Sequence, residues 1–146
     1  MYIYNMESTQ AIRARSDVGV RKAAYCTAEG LAMLAYQPDE VVDGIIAEGL
    51  VPRTPHTNTD PARLRMTLRE VSHRGYAIED EESEVGMRCV AAPVRDSTGQ
   101  VVAAVGVAGP VQRLSKKTVT AFAPNVVRTA EAISARLGYR TRAVAG

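Results

Sequence analysis

Apolar positions along this chain recur at helical spacing in some stretches and at every second residue in others, and the two periods lay out its elements. From Thr27 onward, Leu31, Leu34 and Ala35 fall on one helical face. Pro38 suits the first turn of a second helix carrying Val41, Val42, Ile45 and Ile46 and closing at Gly49. Pro52 to Asn58, with two prolines and two threonines, reads as a loop. Asp60-Pro61 then makes a strong helix start, a capping carboxylate ahead of a proline. Leu64, Leu68 and Val71 form the buried stripe of that helix, and Gly75 suits its C-terminal cap.

Strand-like segments follow at Tyr76–Glu81, Met87–Arg95 and Val101–Ala108, with Asp96-Ser97-Thr98-Gly99 as the hairpin turn between the last two. Tyr2 to Glu7 has strand composition, Ala11 to Arg15 reads as a short extended piece, and Asp17-Val18-Gly19 reads as a turn. Ser115 opens a final helical segment with Val119, Phe122, Val126, Ala130, Ile133 and Leu137, which Pro124 should kink or restart. The pattern predicts an α+β domain, a mainly antiparallel sheet with helices packed on it.

At 146 residues the chain is one domain with room for a real core, and a net charge of +2 is too small to announce a nucleic-acid surface. Cys26 and Cys89 lie far apart without metal or redox spacing, which predicts no disulfide framework, no metal and a reducing, cytoplasmic setting. No apolar run reaches membrane-spanning length, and the start lacks the pattern of a signal peptide. His56 and His73 stand beside no serine or cysteine in a catalytic pattern and read as solvated, and no phosphate-binding glycine loop is present. The acidic run Glu79 to Glu84 reads mostly as a solvated strand end, with Glu79 as the member to place inside.

Several motifs occur together in one order. They are Cys26-Thr27-Ala28 followed by Gly30, Ala32, Leu34 and Ala35; Thr54 to Asp60; and Leu64, Leu68, Val71 with Gly75-Tyr76-Ala77. The series continues through Gly86 to Asp96, Gly99 to Pro110, Arg113-Leu114-Ser115 and Ile133 to Tyr139. This series resembles the effector-binding domain of IclR-type bacterial transcriptional regulators over nearly the whole chain. The resemblance implies a GAF-like fold with a ligand pocket between the sheet and its covering loops, and no cofactor. It also implies a homodimer or tetramer, and a sensor truncated at its N-terminus. The winged helix-turn-helix through which such a protein touches operator DNA is absent from this chain.

The resemblance further implies that a small organic acid contacts Thr27, Ala28 and Glu29, then Glu79, Cys89, Gly106 and Ala108, with Lys22 nearby. On the residues alone, Thr27 is equally a helix cap, and Cys89 and the Gly106/Ala108 strand face are equally packing positions. Glu29 would repel an anion if it faced inward, so it is expected to point outward or pair with Lys22. Gly106 and Ala108 stand where the family often has serine. Their missing hydroxyls predict a roomier, more apolar pocket for an aromatic or longer-chain acid. Two other classes stay open, a cysteine-dependent redox enzyme and a ligand-free dimerisation module.

Overall fold

The structure is a computed structural model that describes residues 1–9 and 18–140, so the extended piece expected at Ala11 to Arg15 lies outside the described residues. A 3-10 turn at Ala24–Cys26 leads into α1 (Ala28–Leu34), followed by α2 (Asp39–Glu48) and α3 (Pro61–Arg74). Strands β1 (Ala77–Asp80), β2 (Met87–Arg95) and β3 (Val101–Pro110) come next, and α4 (Lys116–Arg136) ends the series. The strands form an antiparallel sheet in the order β1-β2-β3, an α+β arrangement as the periodicity predicts.

Local chemistry explains most boundaries. The Asp60 carboxylate accepts the Ala62 N–H at 2.8 Å ahead of Pro61, and Gly75 closes α3 in the left-handed region at φ +82°. Pro38 sits one position earlier than expected, as the N-cap of α2. On α2, Val42 is buried whereas Val41 is exposed. The Asp96 carboxylate accepts the Thr98 and Gln100 N–H groups, which fixes the β2–β3 hairpin turn.

The sheet separates two cores. On one face, Leu31, Leu34, Leu64, Leu68 and Val71 of α1 and α3 pack over Ala77 and Ala91. On the other, Val119, Ala123, Val126 and Ala130 of α4 cover Val90, Ala92 and Val94. This second core carries α4 unbroken through Pro124, so the expected restart does not occur. Burial along one continuous face offsets the single hydrogen bond that a proline removes. Phe122, Ile133 and Leu137 lie off that face and are exposed.

Tyr2 to Glu7 corrects another expectation, because no strand forms there. Tyr2 exchanges backbone hydrogen bonds with the Gly19–Val20 segment, its N–H donating to Val20 at 3.1 Å and its carbonyl accepting from Gly19 at 2.8 Å. A strand needs hydrogen-bonded neighbours along its length, and none of the described strands pairs with this segment.

The two glycines inside helices are opposites. A Cβ on Gly30 would stand 2.2 Å from the Ala24 carbonyl oxygen, whereas one on Gly44 meets nothing within 4 Å. Gly30→Ala should therefore lower stability by about 1–3 kcal/mol through overpacking. Gly44→Ala should raise it by roughly 0.5–1 kcal/mol through helix propensity. Denaturant unfolding of the two variants checks the pair of opposite signs.

Candidate functional site

The site begins where α1 meets the sheet. Thr27 caps α1, its hydroxyl accepting the Gly30 N–H at 3.2 Å and donating to the Ala23 carbonyl at 3.2 Å. Its own carbonyl accepts the Leu31 N–H at 2.9 Å. Ala28 is fully buried, a packing residue between helix and strands.

Beneath α1 the strand register brings small residues into two lateral rows. Ala77, Ala91 and Gly106 form one row, and Glu79, Cys89 and Ala108 form the next. A cavity of about 20 Å³ lies over the second row, lined by Thr27, Glu29, Glu79, Cys89 and Ala108 with Lys22 at its exposed side. The predicted site residues Thr27, Glu29, Glu79, Cys89, Ala108 and Lys22 thus converge, while Ala28 and Gly106 support the walls.

Of the two placements expected for Glu29, outward or paired with Lys22, the outward one does not hold, and the Lys22 charge does act on it. Its Oε1 lies 2.6 Å from where a Cβ on Gly106 would stand, so the carboxylate occupies the space over that glycine. The missing side chain at Gly106 therefore leaves a seat for Glu29 and does not enlarge the cavity. Acidic and polar groups also make that cavity less apolar than expected. Burial raises the Glu29 pKa, against the opposing pull of its own backbone N–H, the Lys22 charge and the Tyr2 hydroxyl.

Glu79 is fully buried, as the sequence suggested. Its Oε1 accepts the N–H groups of Glu82 and Ser83, the latter at 3.0 Å, while Oε2 is buried without a hydrogen-bond partner. Burial pushes its pKa up, and the Ser83 N–H, the Cys89 thiol and the Glu82 N–H oppose that rise. An uncompensated acceptor at a cavity wall is costly unless something donates to it.

Neither cysteine is set up as a nucleophile. Burial, then the Glu79 charge, raises Cys26 to about 11. The same two causes, joined by Glu29, push Cys89 up as well. A thiol held protonated at neutral pH packs and donates weakly; it does not attack.

The rest of the acidic run is less solvated than its composition implies. Asp80 accepts from the buried Arg88 Nε at 2.8 Å and pairs with Lys116 at 3.2 Å. Burial alone would raise Asp80, yet the Arg88 and Lys116 contacts hold it below the usual carboxylate range. The Glu82 carboxylate accepts the Asn58 N–H at 3.1 Å, and Thr57 and Thr54 donate to the Glu82 and Glu81 carbonyls at 2.6 and 2.7 Å. The Pro52–Asn58 loop is thereby latched onto the turn that supplies the donors to Glu79. Sequence reasoning missed Tyr2 and Ser83 in the cavity wall, since neither position carries a local signal. His56 and His73 are exposed, as expected.

A second cleft of about 470 Å³ runs past Tyr36, Arg95, Ser134 and Tyr139. Arg95 lies over the Tyr36 ring at 4.4 Å and donates to the Gly99 carbonyl at 2.9 Å, and Ser134 Oγ accepts the Arg95 N–H. This larger space contains no buried polar atom left unpaired, so the smaller acidic cavity is the better candidate. Among the described residues no cluster of three or more metal-ligating side chains occurs, and no helix is long and apolar enough to cross a membrane.

A family model described as bacterial transcriptional regulator IclR C-terminal matches residues 1–135. The chain is similar to the HTH-type transcriptional regulator BhcR of Paracoccus denitrificans, 34% identical over 92% of this chain and 48% of that protein. It superimposes on the Thermotoga maritima IclR crystal structure with a TM-score of 0.85 at 33% identity, covering 92% of this chain and 55% of that one. The inducer-binding domain of a double mutant of the PobR transcription factor from Acinetobacter, solved with 3-hydroxybenzoic acid, matches with a TM-score of 0.74. There the identity is 27%, over 84% of this chain and 69% of that one. The chain spans about half the length of the curated relatives it matches. It belongs to the IclR family of bacterial transcriptional regulators.

The raised Glu79 carboxyl gives a pH prediction with a definite sign. The folded state holds this proton to higher pH than the unfolded chain does. Its contribution to stability is therefore greatest below the ordinary glutamate value of about 4.3, and it declines as pH rises through the folded value. Glu79→Gln should flatten the stability–pH curve on that alkaline side and exceed wild type at neutral pH. Parallel curves for the two proteins in urea unfolding at stepped pH would contradict the burial argument.

Proposed function

We propose that this IclR-family domain is the small-molecule-sensing and oligomerising part of a cytoplasmic transcriptional regulator, without enzymatic activity. A small organic acid enters the cavity between α1 and the sheet. Its binding shifts homodimers or tetramers between two arrangements, and the full-length protein reads that shift out through a DNA-binding domain outside this chain.

The observation that carries this reading is the buried, unpartnered Oε2 of Glu79 on the cavity wall. It calls for a ligand that donates, through a hydroxyl, an amine or a protonated acid. The 3-hydroxybenzoic acid held by the PobR relative has both a carboxyl and a hydroxyl group, which suits such a wall. Lys22, with its exposed ammonium beside the cavity, complements the carboxylate end.

The small cavity volume favours a second reading, a dimerisation module whose pocket stays closed. Ligand linkage separates the two. A binder at 100 times its Kd stabilises the folded state by about 2.7 kcal/mol, a shift of several degrees in Tm. A thermal-shift screen of 3-hydroxybenzoate, benzoate, pyruvate and glyoxylate should find one class that stabilises the protein, with Glu79→Gln weakening the response. No shift from any acid would favour the closed module.

A further inference from the structure

The pocket contains its own carboxylate. Glu29 stands at the start of α1 and Gly106 in the middle of β3, and the structure brings the Glu29 carboxylate onto the bare backbone of that glycine. A side chain at position 106 would collide with Glu29 Oε1 at 2.6 Å and with the Val90 carbonyl at 2.9 Å. Only glycine leaves this seat open. The seated carboxylate takes its own backbone N–H and the Tyr2 hydroxyl, with the Lys22 charge nearby. What remains beside it is about 20 Å³, enough for a water molecule and too little for an organic acid. Glu79 lines the same cavity, and apart from the weak donation of the Cys89 thiol to this carboxylate its buried Oε2 has no hydrogen-bond partner.

A carboxylate of the chain's own thus fills the space over Gly106, while a second carboxylate in the same lining keeps an acceptor unpaired. We propose that Glu29 is the specificity gate of this pocket: its carboxylate, seated on Gly106, occupies the place of an effector carboxylate, and only acids that displace it are admitted. The inference rests on the sensor reading above and narrows its ligand class. The displacing ligand must bring a carboxylate to replace that of Glu29 and a donor group to satisfy Glu79. Hydroxy acids and amino acids meet both demands; simple monocarboxylates meet the first alone. Once Glu29 swings out, the floor over Gly106 and Ala108 becomes ligand space, so ring-sized acids fit only in the opened state.

The test replaces the tethered carboxylate with a free one. Glu29→Ala removes the equivalent of acetate from the seat. Sodium acetate, compared with sodium chloride at equal ionic strength, should raise the Tm of this variant saturably by roughly 2–4 °C and leave wild type unmoved. Glu29→Gln keeps the volume and removes the like-charge competitor. It should ignore acetate and bind 3-hydroxybenzoate at least about tenfold more tightly than wild type, by titration calorimetry. Acetate acting equally on wild type and Glu29→Ala, or on neither, would overturn the gate. So would equal 3-hydroxybenzoate affinity in wild type and Glu29→Gln, which leaves the sensor reading standing. Acetate rescue of Glu29→Ala with no organic acid binding to wild type or Glu29→Gln would keep the seat, refute its role as a gate, and remove the sensor reading instead.

Discussion

The close approach of α1 to the sheet is the constraint on which the rest of this structure depends. Gly30 touches the preceding turn, Ala28 and Ala32 are fully buried, and Ala77, Ala91 and Gly106 form the strand row beneath them. Small residues on both sides let helix and sheet lie closer than larger side chains permit. That proximity removes solvent from Glu79 and turns Glu29 onto Gly106. A leucine in the Ala91–Gly106 row would lift the helix and return both acids to water. The packing and the chemistry of the cavity are therefore one arrangement.

Two polar networks hold this arrangement in register. Asp80, Arg88 and Lys116 tie β1 and β2 to the first turn of α4, and the Arg88 guanidinium also caps the Leu114 carbonyl at 2.6 Å. The threonines of the Pro52–Asn58 loop secure the β1–β2 turn, whose N–H groups in turn grip Glu79. A shift in the second network would reach Glu79 through hydrogen bonds, a direct route from the cavity to the outer loop. Removing Asp80 would leave the buried Arg88 charge without its carboxylate partner.

Much of this was legible in the chain because it is written locally. The Asp60-Pro61 start, the Gly75 cap, the Asp96–Gly99 turn and the alternation of β3 each depend on neighbours a few residues apart. The inside place of Glu79 came from the family resemblance, since the acidic run that it opens carries no clear alternation. The orientation of Glu29 could not be read, since it depends on a glycine 77 positions away that the sheet register brings beneath it. The failure at Tyr2 to Glu7 has the same origin: strand composition is local, but a strand partner is not. Pro124 was misjudged because tertiary burial of α4 outweighs a local helix-breaking signal. Most of the residues that the family resemblance named line this cavity, while their placement relative to one another came from the packing.

Two glutamates line the cavity between α1 and the sheet, Glu29 seated over Gly106 and Glu79 fully buried. Carboxyl-carbon NMR titration of Glu29 and Glu79, assigned with Glu29→Gln and Glu79→Gln, measures this most directly. Both carboxyls should titrate above the ordinary glutamate value of about 4.3, because burial disfavours their charged forms. Both titrating at the ordinary value would mean solvated side chains, and this cavity would not exist in solution.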